Sequence, residues 1–145
     1  MSTNYKKLRV GVVGAGNMRR NHLRAYSNLK KIDLIGVYDI NRDVAEGLAK
    51  QYNCQSFESL EEMHKQVDAV SICSPSSLHA KQGLFFLENN VHCLIEKPLA
   101  TSEEDCLALI NMAKKSNVTL CVGHIERFNP AVQLASELFK DGKHK

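Results

Sequence analysis

Several short apolar stretches of the sequence end in residues that can hold charge or transfer a proton. These residues are Asp39, Ser74-Pro75, Glu96-Lys97-Pro98 and Gly123-His124. If the apolar stretches are parallel strands, their carboxyl ends meet at one edge of a sheet, where such sheets bind ligands. There the Lys97 ammonium can hydrogen-bond a substrate hydroxyl or carbonyl and take part in proton transfer. The alternative is a surface lysine paired with Glu96.

A glycine-rich turn lies upstream of these residues. It connects the apolar run 8–13 to a helical pattern that starts near residue 17. Glycines in such a turn let a pyrophosphate approach the backbone, and the free N–H groups of the helix point at its phosphates. Asp39 ends the following strand, where a carboxylate can accept hydrogen bonds from a ribose diol. The spacing therefore predicts a dinucleotide site, with NAD preferred to NADP. The residues expected at its pyrophosphate are Gly14, Gly16, Asn17 and Met18.

Two arginines modify this interpretation. Arg19 occupies the third fingerprint position, which is normally Gly or Ala so that helix and strand pack closely. We expect it to weaken cofactor binding unless its guanidinium turns outward to the phosphates. Arg42 follows Asp39 by three residues and can pair with a 2′-phosphate, which would offset the preference for NAD. The turn can also serve some role other than dinucleotide binding.

Four other polar residues have less certain roles. His79 follows Ser74-Pro75 on a predicted helix and either reaches the cofactor or is a helix-surface imidazole. Arg127 comes after the last predicted strand and either meets a carboxamide or substrate or anchors the last helix. The sequence indicates no partner for His22 or His92.

Apolar runs alternate with helical patterns along the chain. The runs lack polar alternation, as expected for strands of a parallel sheet covered on both faces. We predict strands over 8–13, 32–38, 55–57, 67–73, 91–95 and 118–122. Two helices are predicted over 17–29 and 78–89. Two more begin after caps, one after Asn41 and one after Thr101 or Ser102. A short helix is predicted from Ser59 to 65, with Glu62 completing a capping box, and a last one from Pro130, capped by Asn129, to Gly142. The fold class is therefore α/β, a doubly wound Rossmann sheet of mostly parallel strands in the order 3-2-1-4-5-6.

Composition places the chain among ordinary soluble domains. It has 145 residues, 43% of them hydrophobic and 24% charged, with a net charge of +3. No basic stripe indicates nucleic-acid binding, and no apolar run is long enough to span a membrane or resembles a signal peptide. The odd count of 5 cysteines, without a C-x-x-C pair, favours a reducing, cytoplasmic location. Cys73, Cys93 and Cys121 can converge as metal ligands, but their spacing fits no zinc pattern, so we expect no metal.

Five motifs, in order, carry a family resemblance: residues 11–18 (Gly-Val-Val-Gly-Ala-Gly-Asn-Met), 21–23 (Asn-His-Leu), 74–79 (Ser-Pro-Ser-Ser-Leu-His), 96–100 (Glu-Lys-Pro-Leu-Ala) and 123–130 (Gly-His-Ile-Glu-Arg-Phe-Asn-Pro). Together they resemble the N-terminal NAD(P)-binding domain of the Gfo/Idh/MocA oxidoreductases, the relatives of glucose–fructose oxidoreductase and inositol dehydrogenase. The last motif is most similar to members that oxidise the 3-position of nucleotide-linked amino sugars.

The resemblance implies hydride transfer between a sugar, polyol or nucleotide-sugar hydroxyl and a nicotinamide cofactor, with Lys97 as a catalytic residue. It also implies a second α/β domain that supplies a catalytic histidine, much of the substrate pocket and the oligomer interface. We expect residues 1–128 to form the dinucleotide-binding domain and 129–145 an inter-domain helix and tail. The residues expected to contact the cofactor are Gly14, Gly16, Asn17, Met18, Asp39, Ser74, Pro75, His79, Glu96, Lys97 and Arg127.

Because no second domain follows in this sequence, we expect the chain to be inactive alone. It can be a natural truncation, one piece of a split enzyme completed by a partner chain, or a shortened form of a longer protein. The remaining alternatives are a non-catalytic NAD-binding module and a decayed fragment.

Overall fold

The computed structural model describes residues 6–14 and 18–140, without the side chain of Lys140. Its centre is a parallel sheet of six strands in the order β3-β2-β1-β4-β5-β6, which confirms the predicted topology. The strands are β1 (Leu8–Val13), β2 (Ile32–Tyr38), β3 (Gln55–Ser56), β4 (Ala69–Ile72), β5 (His92–Ile95) and β6 (Leu120–Val122).

Helices connect the strands. They are α1 (Arg19–Asn28), α2 (Arg42–Tyr52), α3 (Leu60–Met63), α4 (Ser76–Glu88), α5 (Glu103–Lys115) and α6 (Pro130–Lys140), with a short 3-10 helix at Ile125–Phe128. Most observed boundaries fall within a few residues of the predicted ones. Among the strands the largest differences are at the starts of β4 and β6, where the hydrogen-bonded ladder begins two residues after the apolar run does.

The sheet is covered on both faces, and each face has its own hydrophobic core. On one face Leu23 of α1 and Leu48 of α2 pack against Val12 and Val37. On the other, the α4, α5 and α3 side chains Phe86, Leu109 and Met63 pack with Val13, Val70 and Ile72. Each fully buried aliphatic or aromatic side chain contributes about 1.5–3 kcal/mol of transfer free energy. This two-sided burial explains why the strands are continuous apolar runs.

Three predicted helix caps are present, and one detail of the prediction is wrong. The side chains of Asn41, Ser59 and Ser102 accept hydrogen bonds from the N–H groups of Val44, Glu62 and Asp105. The cap of α5 is therefore Ser102 and not Thr101. The Glu62 carboxylate does not bond the N–H of Ser59 as in a capping box. It accepts instead from the N–H of Glu58, the residue before the cap, at 3.0 Å.

The last helix lies apart from the sheet. Residues 124–139 are all exposed, including the apolar side chains of Phe128, Leu134 and Phe139. Asn129 caps α6 by accepting from the N–H of Ala131, as predicted. The predicted stop at Gly142 lies outside the described residues. Within residues 6–14 and 18–140 no helix has the length and apolar character needed to cross a membrane.

Candidate functional site

The site begins where the strand order reverses. β1 pairs with β2 on one side and with β4 on the other, so chain connections leave in opposite directions at its carboxyl end. Gly14 lies at this point with φ +90°, a conformation that residues with a Cβ rarely adopt. A Cβ there would lie 2.5 Å from the nitrogen and Cα of Ser74. Gly14 therefore lets the ends of β1 and β4 touch and keeps the crevice above them open.

A cleft of about 310 Å³ opens on one side of this point, and we call it the Asp39 cleft. Its walls come from the ends of β2 and β4, from α3 and from α4. It is lined by Gly14, Tyr38, Asp39, Ile40, Leu60, Glu61, Ser74, Pro75, Leu78, Lys81, Gln82 and Phe85. One Asp39 oxygen accepts from the N–H of Asn41 at 2.8 Å, which fixes the carboxylate at the end of β2. A second acceptor oxygen of Asp39 remains to bind a diol.

A second cleft, of about 410 Å³, lies beside the first, and we call it the Lys97 cleft. It is lined by Met18, Cys73, Ser74, Pro75, Ser76, His79, Glu96, Lys97 and Pro98. Ser74 and Pro75 line both clefts, so the end of β4 separates them. Two adjacent clefts at a switch point, with the glycine turn between β1 and α1, fit the two halves of a dinucleotide. The structure thus brings Gly14, Met18, Asp39, Ser74, Pro75, His79, Glu96 and Lys97 to one edge of the sheet.

The charged groups of the Lys97 cleft are separated rather than paired. Lys97 is exposed, and among residues 6–14 and 18–140 its ammonium forms no salt bridge. Glu96 contacts it only through the backbone, where one carboxylate oxygen accepts from the Lys97 N–H at 3.3 Å. The sequence-based alternative of a Lys97–Glu96 ion pair is therefore not what the structure has. The ammonium is available to a ligand in the cleft.

Glu96 is buried, and sequence analysis missed its partner. Its carboxylate lies 2.8 Å from Nε2 of His22, a residue for which the sequence indicated no partner. Cys73 lies in the same region, and burial, assisted by the charge of Glu96, raises the pKa of its thiol to about 12. The signal that the sequence offered is the motif at residues 21–23, which contains His22 and belongs to the family resemblance. It was not decisive, because nothing in the spacing relates residue 22 to residue 96.

His79 lies inside the wall of the cleft rather than on a helix surface. It is 1% exposed, and its ring nitrogens lie 2.8 Å from the carbonyl oxygen of Pro98 and 2.9 Å from that of Ser74. Carbonyl oxygens only accept and a neutral imidazole carries one N–H, so His79 donates to one of these two carbonyls, and which one depends on its tautomer. The interpretation of His79 as a helix-surface imidazole is wrong. His79 lines the cleft, and each of its ring nitrogens faces a backbone carbonyl oxygen. Direct contact of His79 with a cofactor stays a prediction.

The three arginines of the sequence analysis occupy different places. Arg19 is the first residue of α1 and is half-buried. Arg42 lies on α2, where its guanidinium bonds the carboxylates of Glu46 at 2.9 Å and Glu58 at 2.7 Å. Arg127 lies outside both clefts, in the 3-10 helix beside α6. Its role as a cofactor ligand stays a prediction, because Arg127 lines neither cleft.

Two predicted pyrophosphate ligands, Gly16 and Asn17, lie outside the described residues. Of the cysteines considered as metal ligands, Cys73 and Cys93 are buried and Cys121 is exposed. Within the described part of the chain, no group of three His, Cys, Asp or Glu side chains is placed to bind a metal ion.

The profile of a known family matches residues 8–124, more than half of the chain. The family is described as the Gfo/Idh/MocA oxidoreductase family, NAD-binding Rossmann fold. A UDP-N-acetylglucosamine 3-dehydrogenase of Acidithiobacillus ferrooxidans is 39% identical over 126 residues, which are 87% of this chain and 40% of that protein. A glucose-6-phosphate 3-dehydrogenase of Bacillus subtilis is 32% identical over 90% of this chain and 37% of its own.

Solved structures show the same likeness. The structure of the Acidithiobacillus enzyme superposes with a TM-score of 0.85 at 37% identity, covering 91% of this chain and 43% of that one. GenD2 of gentamicin A biosynthesis, solved in complex with NAD, gives 0.87 at 27% identity, covering 92% and 39%. The chain therefore spans about two fifths of the length of the relatives it matches.

Proposed function

The chain belongs to the Gfo/Idh/MocA oxidoreductase family as an NAD-binding Rossmann domain, and we propose that it serves a dehydrogenase acting on a hydroxyl of a sugar, polyol or nucleotide sugar. One observation carries the proposal: the free ammonium of Lys97 lines a cleft directly beside the Asp39 cleft, with only the end of β4 between them. In this proposal Lys97 is the reacting group, Asp39 binds a ribose, and a dinucleotide extends over both clefts.

The residues present fit NAD. Gly14 leaves the backbone crevice open, and Asp39 offers an acceptor to the adenosine ribose. Ser74 and Pro75 lie between the two clefts, and Met18 lines the Lys97 cleft. When bound, NAD supplies the acceptor for the hydride that leaves the carbinol carbon. Lys97 would hold the oxygen of that carbinol by donating from Nζ, which stabilises negative charge as the hydroxyl proton passes to a base supplied by the substrate domain.

The proposal includes a preference for NAD over NADP. Asp39 and Glu61 place two carboxylates in the Asp39 cleft, where a 2′-phosphate would be repelled. Arg42 is the group expected to offset this repulsion, and it is already held by Glu46 and Glu58. The cations of the region are therefore directed away from a 2′-phosphate, with Lys81 as the exception on the opposite wall.

Residues 1–128 form the dinucleotide-binding unit in this proposal, and 129–145 lead from it to a substrate domain. The exposed apolar side chains of α6, which include Leu134, Leu138 and Phe139, support the division because they have no packing surface on the sheet. A substrate domain, in the same chain or on a partner chain, would cover them and close the Lys97 cleft. Five free thiols, two of them buried, support a reducing, cytoplasmic location.

Calorimetric titration of the chain with NAD and with NADP tests the proposal. We expect saturable binding of NAD, weaker binding of NADP, and loss of NAD affinity in Asp39→Ala. Equal or tighter binding of NADP would contradict the specificity, and absence of binding by either would contradict the function.

Turnover provides the second arm of the test. The chain alone is expected to form no NADH from inositol, simple sugars or nucleotide sugars, because the described residues supply one wall of the Lys97 cleft and leave the other open. Turnover above a Lys97→Ala control would show that no further domain is needed. If NAD binds but no reading frame downstream of the Lys145 codon encodes a substrate domain, the alternative of a non-catalytic NAD-binding module is favoured.

A further inference from the structure

The buried carboxylate of Glu96 is enclosed on three sides. His22 Nε2 lies 2.8 Å from one oxygen, and the Lys97 N–H lies 3.3 Å from the other. On the third side is Gly123, where a Cβ would lie 3.0 Å from the carboxyl carbon and from both oxygens. Glu96 as a whole residue is 7% exposed, so these contacts replace almost all of the hydration of its carboxylate.

The contact joins two parts of the site that are distant in sequence. His22 is in the first turn of α1, where its N–H bonds the carbonyl of Met18 at 3.2 Å. Glu96 follows β5, where its N–H bonds the carbonyl of Ile72 at 2.9 Å. Met18, whose carbonyl bonds the N–H of His22, and Lys97, the residue after Glu96, both line the Lys97 cleft.

We propose that His22 is a positioning residue: by donating from Nε2 to Glu96 it fixes the start of α1 against the segment that carries Lys97. The inference rests on the proposed function, since it assigns His22 a task only if a cofactor occupies the cleft between those two elements. Without the donor, the Glu96 carboxylate loses its closest partner and turns toward water through the Lys97 cleft. The start of α1 and the segment that carries Lys97 then shift relative to each other.

NADH binding, followed by its fluorescence, tests the assignment with three variants. We expect His22→Leu to raise the dissociation constant by about tenfold, since a buried acceptor is left without its donor. His22→Gln, whose amide can donate from nearly the place of Nε2, is expected to restore most of the affinity. Gly123→Ala presses on the carboxylate from the opposite side, touches neither cleft, and is expected to weaken binding without altering His22.

His92→Leu is the matched control. His92 is a half-buried histidine at the opposite end of β5, where its Nδ1 accepts from the N–H of Thr119 at 2.9 Å. Its replacement removes a comparable imidazole contact far from both clefts and is expected to leave NADH affinity within about twofold of the wild type. Melting temperatures are measured for every variant. If His22 had only a structural role, the loss of NADH affinity would follow the loss of melting temperature across the variants.

The outcomes separate this inference from the proposed function. Affinity lost in His22→Leu and Gly123→Ala, regained in His22→Gln and unchanged in His92→Leu supports the positioning role. Wild-type affinity in a folded His22→Leu, or equal losses in the Leu and Gln variants, overturns it while leaving the proposed function intact. If His22→Leu does not fold, the comparison of Gly123→Ala with the wild type decides in the same way. A wild type that does not bind NADH overturns both.

Discussion

Gly14→Ala is expected to destabilise the fold more than any other single methyl addition at the candidate site. The added Cβ meets two penalties. The backbone at φ +90° is strained for a residue with a side chain, and the methyl would lie 2.5 Å from the backbone of Ser74, which cannot rotate away as a flexible side chain would. Strain of this kind and overpacking each cost about 1–3 kcal/mol, so we expect a loss of about 2–6 kcal/mol in the free energy of unfolding.

Gly47→Ala is the control with the opposite expected sign. Gly47 lies within α2, and a Cβ there has nothing within 4 Å. Alanine is the better helix former by about 0.5–1 kcal/mol, so this variant is expected to gain stability. The two variants add the same methyl group to the same protein, and only their surroundings differ.

Urea unfolding followed by circular dichroism measures both effects. Because Ser74 lines both clefts, the displacement in Gly14→Ala is also expected to weaken NADH binding in molecules that remain folded. A Gly14→Ala midpoint within error of the wild type would refute the reasoning, as would equal destabilisation in Gly47→Ala. An unchanged Gly14→Ala midpoint would mean that the ends of β1 and β4 are not in contact. Equal destabilisation in Gly47→Ala would mean that the surroundings of the added methyl group do not determine its effect.

Three further predictions concern charge and thiol chemistry. The double variant Glu46→Gln/Glu58→Gln releases Arg42 and is expected to tighten NADP binding by about fivefold in calorimetry, a gain that adding Arg42→Gln should abolish. The hydrogen bonds of Arg9 lower the pKa of Asp68 below its usual value, so this pair stabilises the fold above about pH 4 and the contribution is lost as the pH falls through the lowered pKa. Asp68→Asn should therefore flatten the acid side of the profile of unfolding free energy against pH, and an unchanged profile would argue against the pair. Burial raises the pKa of Cys73 and of Cys93 to about 12, so a disulfide reagent at pH ~8 should label exposed Cys121 first and these two only on unfolding.

The sequence carried enough information to predict the sheet and the edge that forms the site. Strands buried on both faces must be apolar throughout, and helices between them force parallel pairing, so the parallel sheet followed from the alternation. The order of the strands followed from the glycine-rich turn after the first strand, which indicates a Rossmann fold. Once the strands were parallel, Asp39, Ser74 and Lys97 had to meet, because all follow carboxyl ends of strands.

Contacts that depend on the distance between elements could not be predicted in this way. His22 and Glu96 are 74 residues apart, and their contact depends on how closely α1 packs against the end of β5. The inward orientation of His79 depends on where the loop after Lys97 places the carbonyl of Pro98. Periodicity assigns a residue to a face of a helix, but it does not identify the backbone carbonyl that the residue will meet.

Mapping the NAD site by NMR is the most direct test of the central claim. Amide resonances of the ¹⁵N-labelled chain would be followed during titration with NAD, with the cleft of about 430 Å³ between α5 and β6, at the opposite edge of the sheet, as the internal control. We predict saturable shifts at Gly14, Asp39, Ser74 and Lys97 and none at Val118 or Thr119. Shifts confined to the α5–β6 cleft, or no saturable shifts at the carboxyl edge, would contradict the account.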